Sequence, residues 1–140
     1  FAAEDKVDII PFNSEAKETW SGTNVTQSTD LLDKINNYKI GGTTALYPAC
    51  QRAIEILKDE DMDKYNISVV LMTDGLGNVG SYDNLNETYK SVNKQIPIYS
   101  IMFGDASEYQ LEELATMSNG KVFDGKTDLV KAFKQVRGYN

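Results

Sequence analysis

Hydrophobic residues run almost without interruption through residues 67–73, where the sequence reads Ile-Ser-Val-Val-Leu-Met-Thr. An apolar run of this length, followed at once by Asp74 and Gly75, predicts a strand that is buried on both faces. Such strands are usually central in a parallel sheet covered by helices, and these sheets bind ligands at the carboxyl ends of their strands. Asp74 is therefore the first candidate for a functional residue.

Strand-like and helix-like segments alternate along the rest of the chain. Strands are predicted at residues 5–12, 16–20, 67–73, 97–103 and 121–123, the first two as a hairpin whose second strand lies at the edge of the sheet. Helices, recognised by apolar residues at helical spacing, are predicted at residues 29–38, 46–57 and 82–94 and after residues 107 and 127. This order predicts an α/β fold with a Rossmann-like, mostly parallel sheet, helices on both faces and a short antiparallel edge strand.

Particular residues mark where three of these helices begin. Ser107 and Gln110 have the spacing of a capping box, in which each side chain binds the backbone amide of the other residue. Thr127 is the expected N-cap of the last helix. Pro48 is compatible with the second helix only because it lies in the first turn. The segments between the helices and strands, two of which are rich in glycine, are expected to be loops.

Length and composition limit the classes of function. The 140 residues, of which 41% are hydrophobic, are enough for a single domain, spanning residues 1–140, with its own core. The formal charge of -7 opposes binding to a nucleic-acid backbone. The longest apolar runs are far shorter than the ~20 residues needed to span a bilayer. We therefore expect neither a nucleic-acid partner nor direct insertion of this segment into a membrane.

The absence of histidine and the single cysteine narrow the chemistry further. Without histidine there can be no Ser-His-Asp or Cys-His nucleophile, and the commonest zinc ligand is missing as well. Cys50 lies on the apolar face of its predicted helix, so we interpret it as a core residue and not as a reactive thiol. The acidic residues 59–63 lack the glycine and terminal glutamate of a calcium loop and are interpreted as a solvated helix end. An enzyme is not expected.

Two loops should meet at one rim of the sheet. One is the glycine-rich loop at residues 41–43, which ends in Thr43, and the other is the turn at residues 73–75, which contains Asp74. A hydroxyl and a carboxylate of low total charge suit Mg²⁺, which takes oxygen ligands and keeps several waters. Taken alone, Asp74 is more simply a turn residue before a glycine, and Thr43 a hydroxyl that approaches a helix.

Three segments together resemble the von Willebrand factor type A domain, a family with a metal-ion-dependent adhesion site. Asp5-Lys-Val-Asp-Ile-Ile-Pro-Phe-Asn-Ser14 is similar to its second strand, Gly41-Gly-Thr-Thr-Ala-Leu-Tyr-Pro-Ala49 to its threonine loop, and Val69-Val-Leu-Met-Thr-Asp-Gly75 to its aspartate strand. Their joint spacing is more specific than any one of them. Residues 111–123 and the helix after them resemble the end of bacterial members.

The resemblance implies a binding module of a larger bacterial protein. Thr43 corresponds to the metal-ligating threonine of the family and Asp74 to its aspartate. This implies that the intact parent has a site for Mg²⁺, or for Mn²⁺ or Ca²⁺, that bridges to an Asp or Glu carboxylate of a partner protein. For this chain by itself, which lacks half of the expected oxygen ligands, weak binding or no bound ion is expected. A location outside the cytoplasm or at the cell surface is also implied. The rim expected to contact the partner consists of Asn13, Ser14, Gly42, Thr44, Gly75, Gly104 and Asp105.

One motif of the family is missing from the chain. The Asp-x-Ser-x-Ser triplet that ends its first, central strand occurs nowhere in the 140 residues. Residues 1–6 resemble the tail of the helix after that strand, so we expect the strand and its motif to lie before residue 1 of a longer parent. In the family this strand lies between the strands that correspond to residues 5–12 and 67–73. With strands about 4.8 Å apart, the sheet would have a gap of about 9.6 Å at that place. We expect another segment, a domain-swapped copy, a strand-filling partner or rearranged pairing to close it.

Two other functions stay open. The chain could organise subunits of a larger assembly with a silent metal site, in which case Asp74→Ala would leave partner binding intact. A metal-dependent phosphohydrolase is the more remote alternative. Its chemistry normally needs a second carboxylate two residues from the first, and Met72 and Leu76 occupy those positions around Asp74.

Overall fold

The computed structural model describes residues 4–24, 27–39 and 42–139 of the chain. Of residues 1–6, in which a helix tail is expected, residues 1–3 lie outside this part, as does Gly41 of the glycine-rich loop. Residues 4 and 5 are not helical and Lys6 begins the first strand, so the expected helix tail is wrong for these residues. Within it, five strands and five helices follow one another. The strands are β1 (Lys6–Ile9), β2 (Trp20–Thr23), β3 (Val69–Thr73), β4 (Ile98–Met102) and β5 (Lys121–Asp124). The helices are α1 (Thr29–Asn37), α2 (Leu46–Leu57), α3 (Tyr82–Val92), α4 (Glu108–Ser118) and α5 (Leu129–Tyr139).

The strands form two separate ladders. β1 and β2 pair antiparallel, and β3, β4 and β5 form a parallel sheet in that order. One face of the parallel sheet, including Leu71 and Ile98, packs into a core built with α2, α3 and α4. The other face, including Ile101 and Phe123, is covered by α5. The predicted α/β fold with a parallel sheet, helices on both faces and an antiparallel strand pair is thereby confirmed.

β3 is an edge strand among the described strands of the parallel sheet, and one of its faces is partly exposed at Val70, so the prediction that residues 67–73 form a strand buried on both faces is wrong. All five residues of β4 are buried, whereas Val70 in β3 is 39% exposed. β3 pairs with β4 along one edge, and none of the described residues pairs with its other edge. The β1–β2 ladder is not hydrogen-bonded to the sheet. β3 is therefore more apolar than its position among the described strands requires.

The first two strands differ in extent from the predicted ones. The first is limited to β1, because Pro11 has no amide hydrogen to donate to a ladder. The return strand, predicted at residues 16–20, is β2 instead, and its Trp20 lies opposite Ile9. The antiparallel pairing is confirmed, but the connection between the two strands takes up residues 10–19.

Two of the predicted helix caps need correction. The Ser107 hydroxyl accepts a hydrogen bond from the Gln110 amide at 3.3 Å, as predicted. The Gln110 side chain does not complete the capping box, because it binds the backbone of Gly77 instead. The N-cap of α5 is Asp128 and not Thr127. The Asp128 carboxylate accepts from a backbone amide in the first turn at 3.0 Å, and it stands directly before the helix.

Two fully buried serines of the core differ in their hydrogen bonds. The Ser118 hydroxyl donates to the carbonyl of Leu114 at 2.7 Å and accepts from the amide of Ile98 at 3.0 Å. The Ser100 hydroxyl, in the middle of β4, has no hydrogen-bond partner within the described part of the chain. A buried hydroxyl without a partner costs free energy, whereas a bonded one contributes to stability.

We predict that Ser118→Ala lowers the free energy of unfolding by about 1–3 kcal/mol, because it leaves the amide of Ile98 without an acceptor. Ser100→Ala removes an unpaired hydroxyl and should leave the free energy of unfolding within about 0.5 kcal/mol of the wild-type value, or raise it. Urea denaturation followed by circular dichroism measures both changes. Equal losses in the two variants would contradict this interpretation of the core.

Cys50 is a core residue, as predicted. It is 2% exposed, and burial raises the pKa of its thiol from an ordinary 9.0 to about 12. We therefore expect the native protein not to react with a disulfide reagent at mildly alkaline pH, and the urea-unfolded protein to react fully. Because the unfolded thiol loses its proton first, the free energy of unfolding should also fall as the pH rises from 9.0 towards 12. Rapid labelling of the native protein would contradict this.

Candidate functional site

Three loops meet beside the carboxyl end of the parallel sheet. One is the connection after β1, residues 10–19. The second, which we name the threonine loop, is residues 42–45 directly before α2. The third, the aspartate loop, is residues 74–80 directly after β3. The threonine loop hydrogen-bonds to both of the others and so lies between them.

The connection after β1 holds one side of the threonine loop. The Ser14 hydroxyl accepts from the amide of Thr43 at 3.0 Å, and the carbonyl of Asn13 accepts from the amide of Ala45 at 2.6 Å. Gly42 has a φ of +84°, and a Cβ at this position would collide with the Ser14 hydroxyl. The backbone therefore requires glycine here. Asn13, Ser14 and Gly42 lie together at this side of the threonine loop.

The aspartate loop holds the other side. The Asn78 side-chain oxygen accepts from the amide of Thr44 at 2.9 Å, and the Asn78 amide donates to the carbonyl of Thr44 at 3.1 Å. A Cβ placed on Gly75 would lie only 3.1 Å from the Thr44 hydroxyl. Since Thr43 precedes Thr44 and Asp74 precedes Gly75, the two predicted metal ligands belong to loops that touch.

Asp74 is also held from the side of β4. The amide of Asp105 donates to the carbonyl of Asp74 at 2.8 Å, and the amide of Phe103 donates to the carbonyl of Thr73 at 3.4 Å. Gly104 has a φ of +57°, and a Cβ there would lie 2.9 Å from the Cβ of Asp74. The predicted rim residues after β4 therefore directly adjoin Asp74.

The oxygen donors of this rim are few and accessible. Thr43, Asp74 and Asp105 are all exposed. The described ranges contain no group of three or more His, Cys, Asp or Glu side chains placed to hold a metal ion. One hydroxyl and one carboxylate, with a second carboxylate nearby, fit Mg²⁺, which is often bound by one or two carboxylates and several waters. The same donors do not fit Zn²⁺, which prefers nitrogen and sulfur ligands.

A cleft of about 510 Å³ opens beside Asn13, between the connection after β1 and the end of α1. Trp20 and Tyr38 form an edge-to-face pair in it, with ring centroids 5.9 Å apart. Burial raises the pKa of the Tyr38 hydroxyl, and the nearby carboxylates of Glu18 and Glu15 add to the shift. The sequence gives no signal for this cleft, because only the fold brings these aromatic rings together.

The functional positions of Asn78 and Gln110 do not follow from the sequence alone. Gln110 fixes the aspartate loop, since its side chain accepts from the amide of Gly77 at 2.8 Å and donates to the carbonyl of Gly77 at 2.7 Å. Asn78 lies in a glycine-rich loop, where amide side chains commonly bind backbone groups. The glycine-rich composition of this loop indicates that its amide side chain binds a backbone group. It does not tell which backbone group that is.

We predict that Gly104→Ala destabilises the protein by about 1–3 kcal/mol, because the left-handed backbone disfavours a side chain and the new Cβ would press on Asp74. Gly138→Ala is the matched control. Gly138 lies in α5 with open space around a Cβ, so this change should stabilise the protein by about 0.5–1 kcal/mol. Thermal unfolding by calorimetry separates the two, and a tolerated Gly104→Ala would contradict the described turn.

A known protein family matches almost the whole chain. A family profile described as the von Willebrand factor type A domain matches residues 2–136. Neither the curated proteins nor the solved structures give a significant match. The matched span contains all three loops of the rim and every described strand. Among the described residues, each helix is too short or too polar to traverse a lipid bilayer.

Proposed function

Because the chain belongs to the von Willebrand factor type A family, whose members are generally non-catalytic modules of protein interaction, we propose that it binds a partner protein through a divalent cation. In this proposal Thr43 and Asp74 hold Mg²⁺, or Mn²⁺ or Ca²⁺ in its place. When bound, the ion would offer a coordination position to an Asp or Glu carboxylate of the partner. The contact between the threonine and aspartate loops is the observation that carries the proposal.

The low total charge of the two proposed ligands favours an anionic group on the partner. Thr43 contributes a neutral hydroxyl and Asp74 a single negative charge, so together they leave a divalent cation partly unneutralised. The Ser14 hydroxyl accepts from the amide of Thr43, so the loop that carries the threonine is held in place before any ligand arrives. Preorganised ligands lower the entropic cost of binding. Both features favour recognition of a carboxylate by the proposed site.

The surface around the two ligands is the proposed contact area for the partner. Ser14, Gly42, Gly104 and Asp105 are exposed and surround the pair. The absence of side chains at the two glycines lets a partner approach the backbone closely. The remaining members of this area are Asn13, Thr44 and Gly75, which are half-buried and fix the loops.

The space between β1 and β3 is the proposed place of a further strand. β1 begins near the segment that leads into β3, since the Lys6 ammonium lies 3.4 Å from the Glu60 carboxylate and 4.7 Å from the Tyr65 ring centroid. After its end, Asn13 binds the threonine loop, which touches the residues that follow β3. β1 and β3 therefore point the same way without being paired.

A strand inserted between β1 and β3 and parallel to both would end at the rim. Its next residues could then supply the oxygen ligands that Thr43 and Asp74 lack. A segment of a longer parent protein, a domain-swapped copy or a partner strand are the candidates to fill this space. Hydrogen exchange that finds the outward-facing amides of β3 as protected as those of β4 in the chain alone would argue against an open edge.

The family also bears on location. Its domains are commonly extracellular, and we propose an extracytoplasmic or cell-surface location in a bacterium for this chain. A silent metal site in a structural or assembly module is the second candidate function. It is favoured by the finding that no group of three carboxylate, thiol or imidazole ligands occurs in the described ranges.

We predict that Asp74→Ala and Thr43→Ala each weaken the binding of Mg²⁺ about tenfold or more, because each removes a ligand from a small set. Isothermal titration calorimetry with MgCl₂ measures the affinity. Glu87→Ala is the control, since it removes one exposed carboxylate from α3, away from the rim. Equal weakening by Glu87→Ala would indicate diffuse attraction to a negatively charged protein. No binding of Mg²⁺ to the wild-type chain would contradict ion binding by Thr43 and Asp74 without further ligands.

A further inference from the structure

We propose that Asn78 is a positioning residue of the candidate ion site and that Gln110 anchors Asn78 to α4. This inference rests on the function proposed above. Neither side chain is a ligand in the proposal. Their role is to hold the threonine loop and the aspartate loop in one fixed relation, so that the hydroxyl of Thr43 and the carboxylate of Asp74 can bind the same ion.

The bond between the loops is a two-point contact. Asn78 accepts from the amide of Thr44 through its side chain and donates to the carbonyl of Thr44 through its own amide, at 2.9 and 3.1 Å. Both backbone polar groups of Thr44 are thus engaged by one residue. A pair of opposed hydrogen bonds fixes orientation as well as distance. The residue directly before Thr44 is Thr43, so its position follows from this contact.

The aspartate loop is in turn fixed to a helix. Gln110 makes two hydrogen bonds with the backbone of Gly77, the residue before Asn78, at 2.8 and 2.7 Å. Gln110 stands in the first turn of α4, which the Ser107 cap closes. A Cβ on Gly77 would lie 2.9 Å from the Cβ of Leu46, so the loop also rests directly on α2. Gly77, the residue before Asn78, is therefore held by α4 on one side and by α2 on the other.

This arrangement matters because Thr43 and Asp74 are exposed. Exposed loops fluctuate independently unless something joins them. A site for a small cation needs its ligands within about 0.5 Å of their working positions. The bridge through Asn78 meets this requirement without adding a ligand. Removing it should weaken ion binding by raising the entropic cost of bringing the ligands together.

Other amides of the chain do not share this role. Gln95 offers a matched comparison, because its side chain also donates to a backbone carbonyl, that of Ser118, at 2.8 Å. Gln95 lies before β4, at the opposite end of the parallel sheet from Asp74. Gln95→Ala therefore removes one hydrogen bond of similar length between an amide side chain and the backbone, without touching the rim.

The test combines two measurements on wild-type protein and four variants, Asn78→Ala, Asn78→Asp, Gln110→Ala and Gln95→Ala. Hydrogen exchange of the Thr44 amide by NMR reports the bridge itself, and calorimetry with Mg²⁺ alone reports the ion site. We expect Asn78→Ala to accelerate exchange at Thr44 and to weaken Mg²⁺ binding about tenfold, the scale seen when residues that support metal ligands are removed. Gln110→Ala should do both to a smaller extent.

The conservative variant separates positioning from ligation. Asn78→Asp keeps an acceptor for the amide of Thr44, so we expect protected exchange and Mg²⁺ affinity at or above the wild-type value. Gln95→Ala should change neither. If Asn78→Ala does not fold, Gln110→Ala carries the test alone. Its Thr44 amide should exchange faster and its Mg²⁺ affinity should fall, and wild-type values for both would overturn the inference.

Failure of the inference is distinguishable from failure of the proposed function. If the wild-type chain binds Mg²⁺ and Asn78→Ala binds it equally well, the positioning role is wrong while the ion site stands. If Asn78→Asp gains affinity but Asn78→Ala loses none, only charge acts at this position and the role is again wrong. If the wild-type chain itself binds no Mg²⁺, ion binding by Thr43 and Asp74 without further ligands is wrong. Exchange of the Thr44 amide then decides the positioning role, which is overturned if Asn78→Ala leaves that exchange at the wild-type rate.

Discussion

The backbone of residues 43–45 is hydrogen-bonded from two sides, and this attachment determines which side chains meet at the rim. Ser14, 29 residues away in sequence, binds the amide of Thr43, and Asn78, 34 residues away, binds the amide of Thr44. Both contacts join elements that the parallel sheet and the β1–β2 ladder bring to one end of the molecule. Without these two contacts, Thr43 and Asp74, which lie on separate loops, would not be held in position to bind one ion. The candidate ion site is thus a property of three joined loops.

The edge position of β3 connects the fold to the function. A strand as apolar as Val69–Thr73 is normally covered on both sides, yet Val70 is 39% exposed and the described residues leave one edge of β3 unpaired. β1 points in the same direction but belongs to another ladder. An inserted strand would pair the open edge of β3 and deliver further oxygen ligands beside Asp74. One added element would therefore complete both the sheet and the proposed site.

Much of this arrangement follows from the sequence. The helical spacing of apolar residues predicts the positions of the helices closely. Parallel strands also have their carboxyl ends at one end of the sheet, which places Asp74 and Asp105 side by side. What the pattern does not contain is the partner of each polar side chain. Gln110 has the right spacing for a capping box but binds Gly77, and Asp128 replaces Thr127 because a shift of one residue changes the cap without changing the helix. An open position beside β3 is what the absence of the Asp-x-Ser-x-Ser strand leads one to expect, but the apolar run alone indicates burial on both faces and does not tell that Val70 is left 39% exposed.

The most direct test of the central claim is to locate the ion by paramagnetic broadening of backbone amide signals with Mn²⁺, which binds oxygen ligands much as Mg²⁺ does. We predict that the signals of Thr43, Thr44, Gly75 and Asp105 broaden first, that those of Asn93 and Gln95 at the opposite end of the sheet do not, and that excess Mg²⁺ reverses the effect. Broadening that begins at the acidic residues 59–63, or that spreads evenly over the protein, would contradict it.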